Sequence, residues 1–469
     1  MRAATSGGAV AGEWLTSDEA ARLLGVRRST LYAYVSRELI ESRPQHGTRR
    51  RLYSRRDLQR LRRRSRSARN PSQAARSALD WGAPVLDSEL TAIDDGEIWV
   101  RGVSLLGLAR ERTLEEVAAH LWQAAAEAAE PGAPGAVRDA STSPTAAAAG
   151  CGTDLFDRSL DPLPPQWRRV LETLEEPHPG VLLQTVAALA AAEDLAAADR
   201  RVERMTRCAA RVVQVLSRAA SGITRPTSMP FDRVLQRAWA PGRRELRPAI
   251  RAALVLCADH ELNVSSFVVR CVASAGSSPY DGAVAGISAL RGSRHGGLSD
   301  RCEALLAEIA VPSPRQRVPA GEGAVRDQVR RALAARLQRG ETVPGFFAHP
   351  LHPSGDPRFV ALVEVLRSTS GIGPAFWRSI DALVEEGADL MGEPPTIDLG
   401  LAIVARALEA RPGTAWTLFA LGRSIGWMAH FLEEVRRDRL IRPRARYVGP
   451  PPSGPAGSVD LPDASSTRR

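Results

Sequence analysis

The sequence contains no lysine, so all 63 of its basic residues are arginines. A P-loop NTPase needs a lysine on the nucleotide phosphates, a pyridoxal enzyme needs one for its Schiff base, and a protein kinase needs one on its third strand. The absence of lysine therefore excludes these three classes. Aromatic residues are also sparse, at 5 %, so we expect leucine, valine, isoleucine and alanine to build the core.

Cysteine is scarce, and no apolar run is long. The five cysteines are odd in number and scattered, without a CxxC spacing, which is typical of a reduced cytosolic chain. The most apolar stretch, residues 181–192, is shorter than the ~20 residues that span a bilayer. The first residues lack the apolar region of a signal peptide. The sequence therefore predicts a cytoplasmic protein with no membrane partner.

The positive charge of the chain is confined to its beginning. The whole sequence carries a net charge of +10, whereas residues 1–70 alone hold 17 arginines against 6 acidic residues. The remaining residues hold 46 arginines against 47 acidic residues and are close to neutral. A basic appendage on a neutral body is typical of nucleic-acid binding.

Residues 14–40 have the pattern of two short helices. Thr16 or Ser17 can cap the first helix, and Gly25 can end it before the second begins. A turn, a short basic strand and a third helix follow, which is a winged arrangement. This order resembles the helix-turn-helix modules of the excisionase and MerR type, whose second helix lies in the major groove.

The resemblance implies DNA as a partner and indicates which side chains would contact it. The candidates in the second helix and in the wing are Arg27, Arg28, Ser29, Thr30, Tyr32, Arg49, Arg50 and Arg51. Two other interpretations remain open, a module used for dimerisation and a solvated basic face without a partner.

The rest of the chain is predicted to be mainly α-helical. Runs such as 325–338 and 357–368 place apolar residues at i, i+3 and i+4, and strand-like signal is limited to short pieces such as 97–102. The expected division is a winged helix-turn-helix domain at 12–66, a linker at 67–84, a helical body at 85–450 with a loop insertion at 130–150, and a disordered tail at 451–469.

Three of the eight histidines, His260, His295 and His349, lie where an apolar helical run meets a polar or glycine-rich break. Such breaks indicate a special turn or a close approach to a ligand. HExxH, GxSxG and GxGxxG motifs are absent, and no acid or cysteine recurs at ligand spacing, so we expect no metal site. Histidines with an aspartate and several arginines suit proton transfer beside the carbonyl of a carboxylate-bearing substrate. Structural roles are expected for His46, His120, His178 and His430.

Five ordered motifs resemble those of the citrate synthases. They are the segment from Leu254 through RHGG, FFAHPLHPSGDPR, PTIDLGLAIVARAL, LFALGRSIGWMAHFLEE and LIRPRARYVGP. The resemblance covers residues 85–450. It implies a mainly α citrate synthase fold with a large and a small helical domain, the small one at roughly 300–400, which closes over the substrate.

The resemblance implies catalytic roles for three residues. Asp398 in PTIDLG stands where the family has the general base that removes a proton from the acetyl-CoA methyl group. His295 in RHGG stands where a histidine binds the thioester oxygen, and His349 where a histidine polarises the oxaloacetate ketone. Preorganised donors are needed because a thioester α-proton is too weakly acidic for a carboxylate alone.

The resemblance also implies the substrate contacts. The oxaloacetate carboxylate ligands would be His260, Arg358, Arg423 and, supplied by the partner subunit of a homodimer, Arg442. The loop that contacts CoA would be Phe346, Phe347 and Ala348, where the loop has one residue more than the common PGFGH and alanine replaces its last glycine. The family needs no metal or bound prosthetic group, and acetyl-CoA is a substrate.

The implied function is condensation of acetyl-CoA with oxaloacetate to give citrate and CoA. One alternative is a 2-methylcitrate synthase that uses propionyl-CoA, because one methylene changes binding by only ~1–3 kcal/mol. Another is a DNA-binding regulator whose citrate synthase body senses an acyl-CoA or a dicarboxylate. A third is an enzyme whose DNA affinity depends on substrate-driven closure.

Overall fold

The protein is described by a computed structural model. It covers residues 14–24, 26, 28–36, 39–44, 51–55, 57–58, 86–94, 96–122, 155–156, 165–173, 177–223, 227, 229–316 and 321–449. The predicted linker at 67–84, the insertion at 130–150 and the tail at 451–469 lie outside these residues. The chain divides into two compact units, Met1–Glu89, here called the N-terminal unit, and Leu90–Arg469, here called the body.

The N-terminal unit contains the predicted pair of short helices and a small sheet. Its elements are β1 (Trp14–Thr16), α1 (Ser17–Leu24), α2 (Arg28–Ser36), β2 (Ser42–Pro44) and β3 (Arg51–Ser54). The strands pair antiparallel in the order β1-β3-β2. The strand β1 was not predicted, and α2 begins at Arg28 rather than at Ser29 or Thr30.

Capping and a small apolar core explain this unit. The backbone N–H of Thr16 donates to Glu19 Oε2 at 2.8 Å, and Glu19 N–H donates back to Thr16 Oγ1 at 3.4 Å, which is a capping box. Tyr53 on β3 faces the helices, where the buried core consists of Ala20, Leu31, Ile40, Tyr53 and Leu58.

The body begins with a three-stranded antiparallel sheet and continues as helices, so the prediction of a mainly α fold is confirmed. The strands are β4 (Thr91–Asp94), β5 (Glu97–Val100) and β6 (Val103–Ser104), in the order β4-β5-β6. The helices that follow are α3 (Leu105–Glu111), α4 (Leu114–Trp122), α5 (Pro165–Glu172), α6 (Pro179–Glu193), α7 (Val202–Ser221), α8 (Phe231–Trp239), α9 (Arg247–Leu256), α10 (Val264–Ser274), α11 (Pro279–Leu290), α12 (Gly297–Glu308), α13 (Glu322–Gln338), α14 (Pro357–Arg367), α15 (Pro374–Met391), α16 (Ile397–Leu408) and α17 (Thr414–Arg437). Short 3₁₀ turns occupy Leu195–Ala198 and Arg244–Leu246.

The helix α17 is the central element of the body. Every residue from Thr414 to Glu434 is buried, as expected for a helix with neighbours on all sides. It packs against α4, α6, α7, α9, α10, α11, α12 and α16. In the described part of the chain, no helix combines the length and the apolar character that a membrane crossing requires.

Two glycines let α17 approach the C-terminal end of α9. A Cβ on Gly422 would lie 2.3 Å from Leu254 O, and a Cβ on Gly426 would lie 2.2 Å from Ala258 O. Real Cβ atoms do not approach oxygen so closely, so any larger residue would push the two segments apart. This approach positions the loop after α9, which carries His260.

Replacing Gly426 with alanine tests this packing. We expect Gly426→Ala to lower the free energy of unfolding by ~1–3 kcal/mol, because the added methyl group overpacks the contact with Ala258. The measurement is urea unfolding followed by circular dichroism. Gly107→Ala is the matched control, since Gly107 lies in α3 with its nearest side-chain atom at 3.7 Å, and alanine there should be neutral or stabilise by up to ~1 kcal/mol. Equal unfolding midpoints for Gly426→Ala and the wild type would contradict the close approach.

Candidate active site

The body brings together most of the residues that the sequence singled out. His260 follows α9, His295 precedes α12, His349 precedes α14, and Asp398 lies in the first turn of α16. Burial lowers the pKa values of both His260 and His295, and the buried guanidinium of Arg423 on α17 lowers them further, so Arg423 lies within electrostatic range of two of these segments. Four loops that are distant in sequence therefore converge beside the central helix.

Asp398 has the environment of a base that works near neutral pH. Its side chain is buried, and Ser299 Oγ on α12 donates a hydrogen bond to Asp398 Oδ1 at 2.6 Å. Burial raises the pKa of Asp398 to about 6, although the Ser299 hydrogen bond and the Arg358 charge oppose this shift. A carboxyl group with such a pKa is largely ionised at neutral pH and is more basic than an exposed one.

His295 is a neutral imidazole held by Ser265. Burial, reinforced by the charge of Arg423, lowers the pKa of His295 to about 3. Its Nε2 lies 3.0 Å from Ser265 Oγ, which donates to Asn263 Oδ1 at 2.7 Å and accepts from Trp427 Nε1 at 3.0 Å. The serine has one hydroxyl proton, so its direction sets the tautomer. When it points at His295 Nε2, the ring carries its proton on Nδ1.

Three histidine rings form a cluster, which consists of His260, His349 and His352. The ring centroids are 5.0 Å apart for His260 and His349, and 5.1 Å apart for each of the two pairs with His352. The Nε2 atoms of His260 and His352 are 2.8 Å apart, so one ring donates a hydrogen bond to the other. His352 is absent from the sequence-based candidates, although its HPLH spacing from His349 was a usable signal.

The environment also defines the protonation of this cluster. Burial lowers the pKa of all three rings, well below the usual range for His260 and to about 4 for His349. The backbone N–H of Leu351 donates to His349 Nδ1 at 3.2 Å. A neutral His349 therefore carries its proton on Nε2.

Arg358 is oriented by Asp356, a residue that sequence reasoning missed although it stands in the same DPR motif. Arg358 Nε donates to Asp356 Oδ1 at 2.9 Å and Nη2 donates to Oδ2 at 2.8 Å, and both side chains are buried. Asp356 Oδ2 also accepts from Ile397 N–H at 3.0 Å. One carboxylate thus ties the start of α14 to the start of α16, next to Asp398.

Arg423 and the loop after α9 are held by a second buried network. Arg423 Nε donates to Cys257 O at 2.8 Å. Asp259 Oδ2 accepts from Thr91 Oγ1 at 2.5 Å, and Asp259 Oδ1 lies 3.3 Å from His430 Nε2 on α17. His430 keeps the structural position expected for it, and Asp259, which the sequence did not single out, fixes the backbone beside His260.

The predicted CoA loop is divided between core and surface. Phe346 is buried and packs on α15, where a Cβ on Gly387 would lie 2.3 Å from Phe346 Cζ. Its side chain therefore anchors the loop, while Phe347 and Ala348 are exposed. Ala348 has no positive φ, so alanine is unstrained in place of the family's glycine.

The remaining predicted residues are Arg442, which belongs to the body, and the DNA-contact candidates, which belong to the N-terminal unit. Arg442 is exposed in the segment that follows α17. In the N-terminal unit Tyr32 is 53 % exposed on α2, Arg28 pairs with Asp18, and Arg51 Nε donates to Ser42 Oγ at 3.0 Å across the β2–β3 hairpin. Thr30 is half-buried on α2. Arg27, Arg49, Arg50 and the Ser29 side chain lie outside the described residues.

Comparison with known families finds two matches along the chain. The family described as "Citrate synthase, C-terminal domain" matches residues 78–444, and the family described as "Helix-turn-helix domain" matches residues 14–66. The citrate synthase of Haloferax volcanii is 29 % identical over 388 residues, which cover 78 % of this chain and 94 % of that protein.

Other relatives match over a shorter region. Citrate synthase 2 of Bacillus subtilis is 35 % identical over 204 residues, 43 % of this chain and 51 % of the relative. The 2-methylcitrate synthase of Mycobacterium tuberculosis is 27 % identical over 203 residues, 43 % and 48 % of the two chains. The chain thus spans about half the length of these two relatives.

Solved structures share the fold. The citrate synthase of Thermotoga maritima superposes with a TM-score of 0.60 at 24 % identity, over 80 % of this chain and 96 % of that one. The citrate synthase of Thermoplasma acidophilum, solved in a ternary complex with carboxymethyl coenzyme A and oxaloacetate, also superposes with a TM-score of 0.60, at 23 % identity, over 80 % of this chain and 96 % of that one.

The Asp356 carboxylate gives a stability prediction. Asp356→Asn leaves the buried Arg358 charge without its counter-ion, and we expect the free energy of unfolding to fall by ~3–5 kcal/mol. Urea unfolding measures this change. The control Asp381→Asn removes the partner of Arg367 in an ion pair whose side chains are each 45 % exposed, so its effect should stay within ~1 kcal/mol. If both variants unfold at the same midpoint, Asp356 does not have the role described.

Proposed function

The chain belongs to the citrate synthase family, as its motifs predicted, and from this we propose that it condenses acetyl-CoA with oxaloacetate and water to give citrate and CoA. The observation that carries the proposal is the buried Asp398 carboxyl, with its pKa raised to about 6, in a site whose histidines are neutral. Enolisation of a thioester needs such a base together with neutral hydrogen-bond donors.

The first step would be proton abstraction from the acetyl methyl group. Asp398 takes the proton, and the electron pair of the C–H bond moves toward the thioester oxygen. His295 donates to that oxygen when its proton is on Nδ1, a tautomer that requires the Ser265 hydroxyl to turn from Asn263 Oδ1 toward His295 Nε2. A preorganised donor of this kind contributes ~3–4 kcal/mol in comparable sites. A neutral imidazole suits the step because it stabilises the developing charge without carrying one of its own.

The second step would be attack of the enol carbon on the oxaloacetate ketone. His349 presents Nε2–H because Leu351 N–H occupies Nδ1, so it can polarise the ketone and give its proton to the new hydroxyl. The proton that Asp398 removed from the methyl group balances this loss, and its return to His349 restores both residues for the next turnover. Water then cleaves the thioester of the condensed product, which releases citrate and CoA.

The substrate carboxylates would be bound by His260 and by the two buried arginines. Asp356 holds the Arg358 guanidinium in one plane through two hydrogen bonds, and Cys257 O holds Arg423. A fixed planar fork suits bidentate pairing with a carboxylate. We include in the proposal a homodimer in which Arg442 completes the partner's site, a small domain at roughly 300–400 that closes over substrate, and contact of CoA with the exposed Phe347 and Ala348.

Release of CoA thiol by the full-length protein tests the function. We expect turnover with oxaloacetate and acetyl-CoA, and a fall of ~10²–10⁴-fold in Asp398→Asn, because the amide cannot accept the proton. Asp381→Asn, a surface change, should keep wild-type activity and also corrects for the protein's own thiols. The ratio of rates with acetyl-CoA and propionyl-CoA decides between citrate and 2-methylcitrate synthesis. A folded protein that turns over neither acyl-CoA contradicts the proposal.

The pH profile of the same reaction reports on the base. The active form of Asp398 is the carboxylate, so kcat/KM should rise through pH 6 and level off above it. Ser299→Ala removes a hydrogen bond that lowers the pKa of Asp398, so the midpoint should move to higher pH. A profile that is flat across this range excludes Asp398 as the base.

A second function, DNA binding, is favoured by the helix-turn-helix match over residues 14–66 together with the positive charge of residues 1–70. We propose that α2 contacts DNA, with the exposed Tyr32 and Arg28 on its surface. Arg51 would then act mainly by bracing the hairpin, because its guanidinium is bonded to Ser42 Oγ and Ser42 O.

Fluorescence anisotropy with a random-sequence DNA duplex tests this function on the full-length protein. We expect a non-specific Kd of ~10⁻⁴–10⁻⁶ M that weakens steeply with salt. Arg28→Ala and Tyr32→Ala should weaken binding, whereas Arg367→Ala, an equal loss of charge on the surface of the body, should not. Binding that ignores salt, or equal affinities for all four proteins, rules out α2 as the contact surface.

A further inference from the structure

The cluster of His260, His349 and His352 has the composition and spacing of a metal site. Each ring offers one nitrogen, and the three nitrogens all lie within 4.8 Å of one another. Two of the rings are buried and the third is half-buried. Three imidazoles on one side of an ion are an established ligand set for zinc and related divalent metals. We propose that this cluster binds a divalent transition-metal ion such as Zn²⁺.

The geometry is close to what coordination requires. Zinc binds imidazole nitrogen at 2.0–2.1 Å, which for tetrahedral geometry separates neighbouring ligand nitrogens by roughly 3.3 Å. The Nε2 atoms of His260 and His352 are 2.8 Å apart, so an ion that replaces their shared proton needs only a small separation of the two rings. His349 is linked to His352 by a backbone hydrogen bond of 2.7 Å from His352 N–H to His349 O, so these two ligands move together.

The charges around the cluster permit a cation. Metal ligation needs neutral imidazole, and burial favours that form in all three rings. Whichever nitrogen of His349 binds the ion, this ring gives up the 3.2 Å hydrogen bond that its Nδ1 accepts from Leu351 N–H. Arg358 opposes a cation, but its charge is compensated by Asp356 at 2.8 Å. Arg423 is flanked by the carboxylates of Asp259 and Asp398, both of which act on its pKa.

The metal would occupy the place of a substrate. His260 and His349 are the proposed ligands of oxaloacetate, so an ion on the cluster should exclude that substrate and inhibit turnover. This consequence rests on the proposed function, whereas metal binding itself does not.

Titration of the metal-free full-length protein with Co²⁺ tests the site, because four-coordinate Co²⁺ absorbs visibly without any turnover. We expect one Co²⁺ per chain, displaced by Zn²⁺. His352→Gln should weaken Co²⁺ binding at least tenfold. The control His178→Asn removes an imidazole at the N-cap of α6, keeps a capping oxygen, and should bind Co²⁺ as the wild type does.

Several outcomes would overturn the site. They are the absence of a cobalt spectrum, equal affinities for wild type and His352→Gln, and near-ultraviolet thiolate bands that place the ion on cysteine. If His352→Gln does not fold by circular dichroism, His349→Gln replaces it, because His349 is only half-buried. A cobalt spectrum in a protein whose metal-free form shows no turnover would keep the metal site and reject the proposed function, so the two failures are distinguishable.

Discussion

The close approach of α17 to the end of α9 is the constraint on which the site depends. It exists because Gly422 and Gly426 carry no Cβ where Leu254 O and Ala258 O come near. With the helices at this distance, Arg423 reaches Cys257 O, and Trp427 reaches the serine that holds His295. The first contact joins α17 to the end of α9, and the second joins α17 to α10, which follows the loop after α9. A larger separation of α17 from α9 would break the first contact and displace the loop that leads to the second.

Burial then determines the chemistry. Removal from water raises the pKa of Asp398 and lowers the pKa values of the histidines, so an ionisable base lies beside neutral donors. The same burial would make unpaired arginines costly. Asp356 is the counter-ion that pairs with Arg358. It also accepts a hydrogen bond from Ile397 N–H and so holds the start of α16, the helix that carries Asp398. Charge compensation and positioning are therefore the work of one carboxylate.

The motifs predicted the main candidate residues, but not the side chains that orient them. Asp398 was found from PTIDLG, whereas Ser299, 99 residues away, carries no signal of its own because serines are common on helices. His352 could have been found from its spacing to His349. Asp259 and Ser265 could not, because their partners Thr91 and Trp427 lie far away in sequence. Phe346 was predicted as a CoA contact, and only its packing on Gly387 shows that its side chain is an anchor.

The sequence by itself determined the family, the mainly helical body and the basic helix-turn-helix module, because periodicity, capping residues and ordered motifs are local properties of the chain. The tertiary structure alone decided the protonation of the site, the pairing of Arg358 with Asp356 and the meeting of three histidine rings. These properties depend on burial and on contacts between distant segments, and neither is encoded in the spacing of residues along one segment.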